Sequence, residues 1–205
     1  MPRAGLSRAV VVELAQATAD DAGPGGFDSL TLAAVAARAG VAVPSLYKHV
    51  DGLPDLRREV ALRAVEDFAA TVHATIATQR SDALRTAARA IRAYALRWPA
   101  RYAAVQEAPA LGDLPDARLS AATARAVVVL AEALGAAVLA DPTTEGAGAP
   151  AALRTEDDVH RVRLVRAAVH GFVDLELRGG FGMPTDRDAS FERLLDVLAR
   201  GLGVD

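Results

Sequence analysis

Apolar residues recur along this chain at three- and four-residue steps, punctuated by short breaks rich in glycine and proline. That period gathers them on single helix faces, and neither strand-length alternation nor an internal repeat is present. Leu6, Val10, Leu14 and Ala17 form the stripe of a first helix from Ser7 to about Ala22, which Gly23-Pro24-Gly25-Gly26 ends. Phe27 and Leu30 then return the chain to the core. Leu32, Val35, Ala36 and Ala39 share one face of a second, short helix. Thr31 is its N-cap, since the hydroxyl can accept from an orphan first-turn amide. Gly40 follows the last periodic residue, where a helix end favours positive φ without a Cβ. Val41 plugs the corner. A third helix then runs through Pro44, Ser45, Leu46, Tyr47, Lys48 and His49, with Pro44 suited to its first turn.

After Asp51-Gly52 the pattern predicts a long helix from Pro54 to about Thr78, with Leu56, Val60, Val65, Phe68, Val72 and Ile76 apolar. At roughly 35 Å it is long enough to join two domains. Ser81-Asp82 caps the next helix, which carries Leu84, Ala88, Ile91, Tyr94, Ala95 and Trp98. Pro99 restarts the chain into a short helix with Tyr102, Val105 and Gln106, and 109–115 reads as a loop. A very apolar helix follows from about Asp116 to Ala140, through Leu119, Val127 to Leu130, and Val138; 141–154 reads as an exposed loop. Thr155 to Asp158 has capping-box spacing and opens a helix with two apolar arcs. Val159, Val162, Val165, Val169, Phe172 and Val173 make one arc. Leu164, Ala168, Gly171 and Leu175 make the other, so this helix needs a second covering surface. Gly179-Gly180 ends it, and Asp188 or Ser190 caps a last helix bearing Phe191, Leu194, Leu195, Leu198 and Leu202. The fold predicted is all-α.

Two helices joined at Gly40 make a helix-turn-helix, whose second helix enters a major groove. An ordinary helical hairpin with a polar outer face has the same spacing. Leu30-Thr31, Val35-Ala36, Gly40-Val41 and Leu46-Tyr47-Lys48-His49-Val50, with Asp55-Leu56 after them, resemble the DNA-binding head of the TetR (tetracycline-repressor-like) family of bacterial regulators. The likeness covers roughly the first third of the chain. Ala42 stands where that family usually has a Ser or Thr cap, and Leu53-Pro54 replaces its Lys-rich start of the following helix. Further on, Val169-His170-Gly171-Phe172-Val173, Gly179 to Gly182 and Ser190-Phe191-Glu192 resemble a C-terminal subtype named for a Trp-His-Gly motif, with Val169 in the Trp place.

The resemblance implies a three-helix head over 1–52 and a helical effector-binding and dimerisation domain over 53–205, with 53–79 as the connecting helix. It implies DNA contact by Thr31, Ser45, Tyr47, Lys48 and His49. It also implies an effector pocket among the middle helices, for which Tyr94, Trp98, Tyr102, Gln106, Val127, Leu130 and His170 are candidate walls; plain core is the alternative for each aromatic ring. Val169, Phe172, Leu195 and Leu198 are the expected dimer contacts, in a four-helix bundle about a two-fold axis. The expected partners are a palindromic double-stranded operator, a second copy of the chain and an apolar or aromatic small molecule. Repression relieved by that molecule is the expected activity.

Composition tempers the nucleic-acid reading. Of 205 residues 52% are hydrophobic and the net charge is −3, which argues against a broad polyanion binder. In 1–50 Arg3, Arg8, Arg38 and Lys48 balance Glu13, Asp20, Asp21 and Asp28, so attraction for phosphate has to be local. Lys48 is the only lysine. Arg3 and Arg8 read as solvated surface or as phosphate contacts. The absence of cysteine excludes disulfides and thiolate metal sites, and His49, His73, His160 and His170 have no helical ligand spacing, so no cofactor is expected. No apolar run reaches membrane-spanning length, so a soluble, cytoplasmic protein is expected. An enzyme, or a helical carrier without DNA binding, remains as the alternative class.

Overall fold

The computed structural model describes residues 5–79, 82–111, 116–135 and 155–204. Arg3, Ser81, Val138 and the 141–154 stretch therefore lie outside the described residues. Every regular element among the described residues is helical: α1 (Arg8–Ala22), α2 (Leu32–Ala39), a 3₁₀ segment (Val43–Lys48), α3 (Leu53–Thr78), α4 (Ala83–Arg97), α5 (Pro99–Glu107), a 3₁₀ turn (Ala108–Leu111), α6 (Ala117–Ala133), α7 (Glu156–Leu177) and α8 (Arg187–Leu202).

The caps explain most of the boundaries. Ser7, Thr31 and Thr155 accept from the amides of Val10, Ala34 and Asp158 and so start α1, α2 and α7. Gly40 closes α2 at φ 67°, and the Val41 amide bonds back to the Ala36 carbonyl, which sets the angle of the turn. Two starts differ from expectation: Asp82 stands at the start of α4 without a side-chain cap bond, and α8 is capped by Asp186, which accepts from the Asp188 amide, rather than by Asp188 or Ser190. Gly26 answers to space instead. A Cβ there would collide with the Ala19 carbonyl, so only glycine lets the 23–30 loop lie against α1.

Two apolar cores share α3. The first gathers Val11, Val12, Ala15, Phe27, Val35, Leu46 and Val50 around Leu56, Val60 and Val65 of α3, and includes Val105 of α5 and Leu119 and Ala122 of α6. The second gathers Val72 of α3 with Ile91, Tyr94, Leu130, Leu134, Val165, Val169, Phe191 and Leu195. Phe68 packs on both cores. At about 1.5 Å per residue, the 26 residues of α3 extend through both.

Arginines fasten the periphery. Arg92 binds both Glu176 oxygens at 2.7 Å and Asp188 at 2.6 Å, tying α4 to α7 and to the start of α8. Arg101 of α5 holds Asp20 of α1 at 2.7 Å, and Arg161 donates to the Leu134 and Leu202 carbonyls at the ends of α6 and α8. Glycine gives the first test. Gly26→Ala is expected to lower the melting temperature, whereas Gly201→Ala, helical with open space around its Cβ position, should stabilise by up to about 1 kcal/mol. Chemical denaturation of both variants checks the opposite signs.

Candidate nucleic-acid interface and cavity

The segment after the Gly40 turn is a six-residue 3₁₀ helix, not the α-helix its sequence suggests. Its N-terminal Ala42 makes no side-chain cap, Pro44 has no amide to contribute, and the run is too short for α-type bonds to accumulate. The tighter winding changes which residues share a side. In a 3₁₀ helix residues i and i+3 eclipse, so Ser45 aligns with Lys48, Pro44 with Tyr47, and Leu46 with His49. Leu46 is fully buried, which puts His49 on the core-facing side, half-buried. Tyr47, at 58% exposure, and Lys48 are exposed, and Ser45 is half-buried between them and the core. Thr31 is exposed at the start of α2, its oxygen already accepting from the Ala34 amide. Arg38 is paired with Asp21 at 2.6 Å. Lys48 is therefore the cation of this segment.

Arg8, although 42% exposed, is not a free surface side chain. Its guanidinium donates to the His49 carbonyl (2.9 Å), to both Asp55 oxygens (2.9 and 2.8 Å) and to Glu59 (3.0 Å). One side chain thus clamps α1, the end of the 3₁₀ segment and the first turns of α3. Buried Asp55 completes the clamp by accepting from the Asp51 amide at 2.9 Å. The Arg8 hydrogen bonds hold the Asp55 carboxyl below the usual carboxylate range, aided by the Asp51 amide and opposed by burial. Glu59 also accepts from Arg118 in the first turn of α6, at 3.1 Å from the same oxygen.

Between α3, α5, α6 and α7 lies a mostly apolar cavity of about 70 Å³. Five of the seven expected wall residues reach it: Tyr102, Gln106, Val127, Leu130 and His170. Tyr94 and Trp98 do not. They face a separate open groove between α3 and α4, where Arg97 and Arg101 sit 5.1 and 4.0 Å from the Trp98 ring. Tyr94 instead donates its buried hydroxyl to Asp67 at 2.9 Å. Trp98 follows the last residue of α4 and Pro99 opens α5, so Tyr102 belongs to a separate helix from the one carrying Tyr94. In the cavity wall the Tyr102 hydroxyl and His170 Nδ1 lie 3.3 Å apart. Burial lowers the His170 pKa from its ordinary value and favours the neutral ring.

Three of the four expected dimer contacts need correction. Val169, Leu195 and Leu198 are buried inside the subunit, and half-buried Phe172 packs on Phe191 at 5.0 Å. The surface left uncovered is the other arc of α7, with Leu164 52% and Leu175 48% exposed, and with Val197 of α8 62% exposed. The bulkier arc closes on its own core because α4 and α8 supply matching aliphatic and aromatic walls. Among the described residues no group of three or more acidic or histidine side chains could hold a metal ion. None of the described helices is long and apolar enough to cross a membrane.

Known proteins carry the same architecture. Residues 84–198 match a family model described as a tetracyclin repressor-like C-terminal domain, and residues 16–51 match one described as bacterial regulatory proteins of the tetR family. An uncharacterised HTH-type transcriptional regulator of Mycobacterium tuberculosis is 36% identical over 96% of this chain and 82% of its own length. The crystal structure of a TetR-family transcriptional regulator from Streptomyces coelicolor superposes with a TM-score of 0.58 at 20% identity, covering 94% of this chain and 98% of that one. A protein of unknown function from Rhodococcus superposes with a TM-score of 0.72 at 18% identity, over 98% of both chains. These last two likenesses speak for the fold alone.

The clamp yields a pH-dependent expectation. A carboxyl whose pKa is lowered on folding stabilises the fold at pH above its unfolded value of about 4 and loses that contribution as pH falls through the folded value. Because Arg8 is partly exposed, Arg8→Ala should cost only about 1–3 kcal/mol at pH 7. The cost should shrink in acid, as pH falls below about 4 and through the lowered folded pKa of Asp55. Urea unfolding of wild type and variant at neutral pH and in acid measures the difference.

Proposed function

The chain belongs to the tetracycline-repressor-like family of DNA-binding transcriptional regulators, and we propose that it acts as a homodimeric repressor released from a palindromic operator by a small molecule. The observation that supports the DNA reading best is the Arg8 clamp. It fixes the far end of the 3₁₀ segment to α1 and α3 and leaves Tyr47 and Lys48 outward. In this reading residues 1–52 are the DNA-binding unit, residues 53–205 bind the effector and the second subunit, and 53–79 is the connecting helix. Lys48 meets a phosphate or a guanine edge, Tyr47 gives its hydroxyl to phosphate, and Ser45, His49 and Thr31 complete the contact. The 70 Å³ cavity is the effector site. No catalytic role is assigned: His49 belongs to the DNA unit, His73 and His160 are exposed, and His170 engages Tyr102. The proposed place of action is the cytoplasm, where the DNA is.

The dimer in this reading forms through the uncovered arc of α7, because a contiguous apolar face on two-fold-related helices is buried by its own copy. Leu164→Arg with Leu175→Arg should give folded monomers in analytical ultracentrifugation. Leu195→Arg, by contrast, places a charge in the second core and should unfold the protein rather than dissociate it. A folded, dimeric Leu164→Arg/Leu175→Arg variant would refute this interface.

Lys48→Ala tests the DNA contact itself. The expected result on a bound operator fragment is weaker affinity, with a slope of log K against log salt smaller by about 2, one phosphate contact being lost from each subunit, and unchanged thermal stability. Unaltered affinity and slope would remove this segment from the groove.

A further inference from the structure

The wall of the cavity carries a charge pattern that selects its ligand. Among the described residues that line it there is no aspartate or glutamate, and Arg166 of α7 is the one formally charged side chain. Arg166 has no hydrogen bond or ion pair with any described residue. It lies two positions from Leu164, which is about 200° round the helix. A subunit docked on the Leu164 arc therefore leaves Arg166 at the cavity. The neutral state favoured for His170 adds no positive charge, so Arg166 stands alone as the cation.

The polar groups also sit together. His170 is one turn from Arg166 on α7, and Gln106 is one turn from Tyr102 on α5. Tyr102, Gln106 and His170 also face an outer cleft, so this polar end separates the cavity from solvent. Carboxylates do border that cleft, but two are already neutralised. Glu107 is bound by Arg57 at 3.0 Å, and Asp174 by Arg178 at 2.8 Å. The rest of the wall is mostly hydrocarbon, including Val72, Val129, Leu130 and Val165.

Resting on the effector-site reading above, we propose that the ligand is a small monocarboxylic acid, bound as its anion. Its apolar body lies among the valines and Leu130, and its carboxylate turns to Arg166, with Tyr102 and Gln106 as neutral donors within the same wall. Arg166 is itself exposed, so its field is partly screened, but a cation entering the wall would meet no carboxylate there, and amines are disfavoured. The size follows from the volume. About 70 Å³ holds roughly five water-sized volumes, which suits a body of about four to six carbon atoms. A longer acid must push α6 or α7 outward.

The test uses three probes that share one five-carbon body, pentanoate, 1-pentanol and pentylamine, on the full-length protein at matched millimolar concentration and ionic strength. Pentanoate should raise the melting temperature by about 2–4 °C, and the other two should not. Arg166→Gln, checked by circular dichroism for an intact fold, should abolish the shift, and Arg166→Lys should keep part of it. The proposal is overturned if the amine or the alcohol stabilises as well as pentanoate. It is equally overturned if the pentanoate shift survives in Arg166→Gln, or if no probe shifts the wild type. DNA binding is assayed separately without any probe, so loss of the regulator reading and loss of the ligand class give different results.

Discussion

The position of the 3₁₀ segment depends on one guanidinium. Arg8 reaches across 41 residues to the His49 carbonyl and across 47 to Asp55, so α1, the 3₁₀ segment and α3 meet at a single side chain. A six-residue 3₁₀ helix has few internal bonds and little surface to bury, so it cannot hold its own orientation. Leu46 anchors it from below and Arg8 from its end. The Asp55 carboxylate makes that anchor directional, because the Asp51 amide and the Arg8 fork occupy its two oxygens.

The same clamp is continuous with the helices around the cavity. Glu59 shares one oxygen between Arg8 and Arg118, and α6 then runs from the first core, at Leu119 and Ala122, to the second, at Leu130. The cavity-lining residues Thr123, Ala126 and Val127 lie between. Close-packed cores do not deform smoothly, so a ligand larger than the cavity must move a whole helix. In the proposed account α6 is the helix with contacts at both ends of that movement. The negative formal charge of the whole chain is no obstacle, since attraction for DNA in this account is concentrated at Lys48.

Local patterns made the helices legible. The stripes, Thr31, Gly40 and the two arcs of α7 all act within a few residues, and their physics is visible in the sequence. Four features were not legible, each for a nonlocal reason. Arg8 looked like surface because its partners lie 41 to 51 positions away and leave no periodic trace. Tyr94 and Trp98 looked like pocket wall because they share one stripe, yet that face of α4 lines the outer groove against α3. Which arc of α7 faces its own core depended on α4 and α8, not on α7; both arcs are apolar, and only the packing partners distinguish them. Arg166 had no signal at all, since a lone arginine on a helix is ordinary until the cavity beside it is known.

Selection from a random-sequence DNA pool by the purified full-length protein tests the central claim most directly. The account predicts enrichment of one near-palindromic site whose half-site centres are about 34–36 Å apart, or a multiple of that spacing, as two symmetry-related recognition segments require. Failure to enrich any sequence, at low salt and in the absence of small molecules, would contradict it.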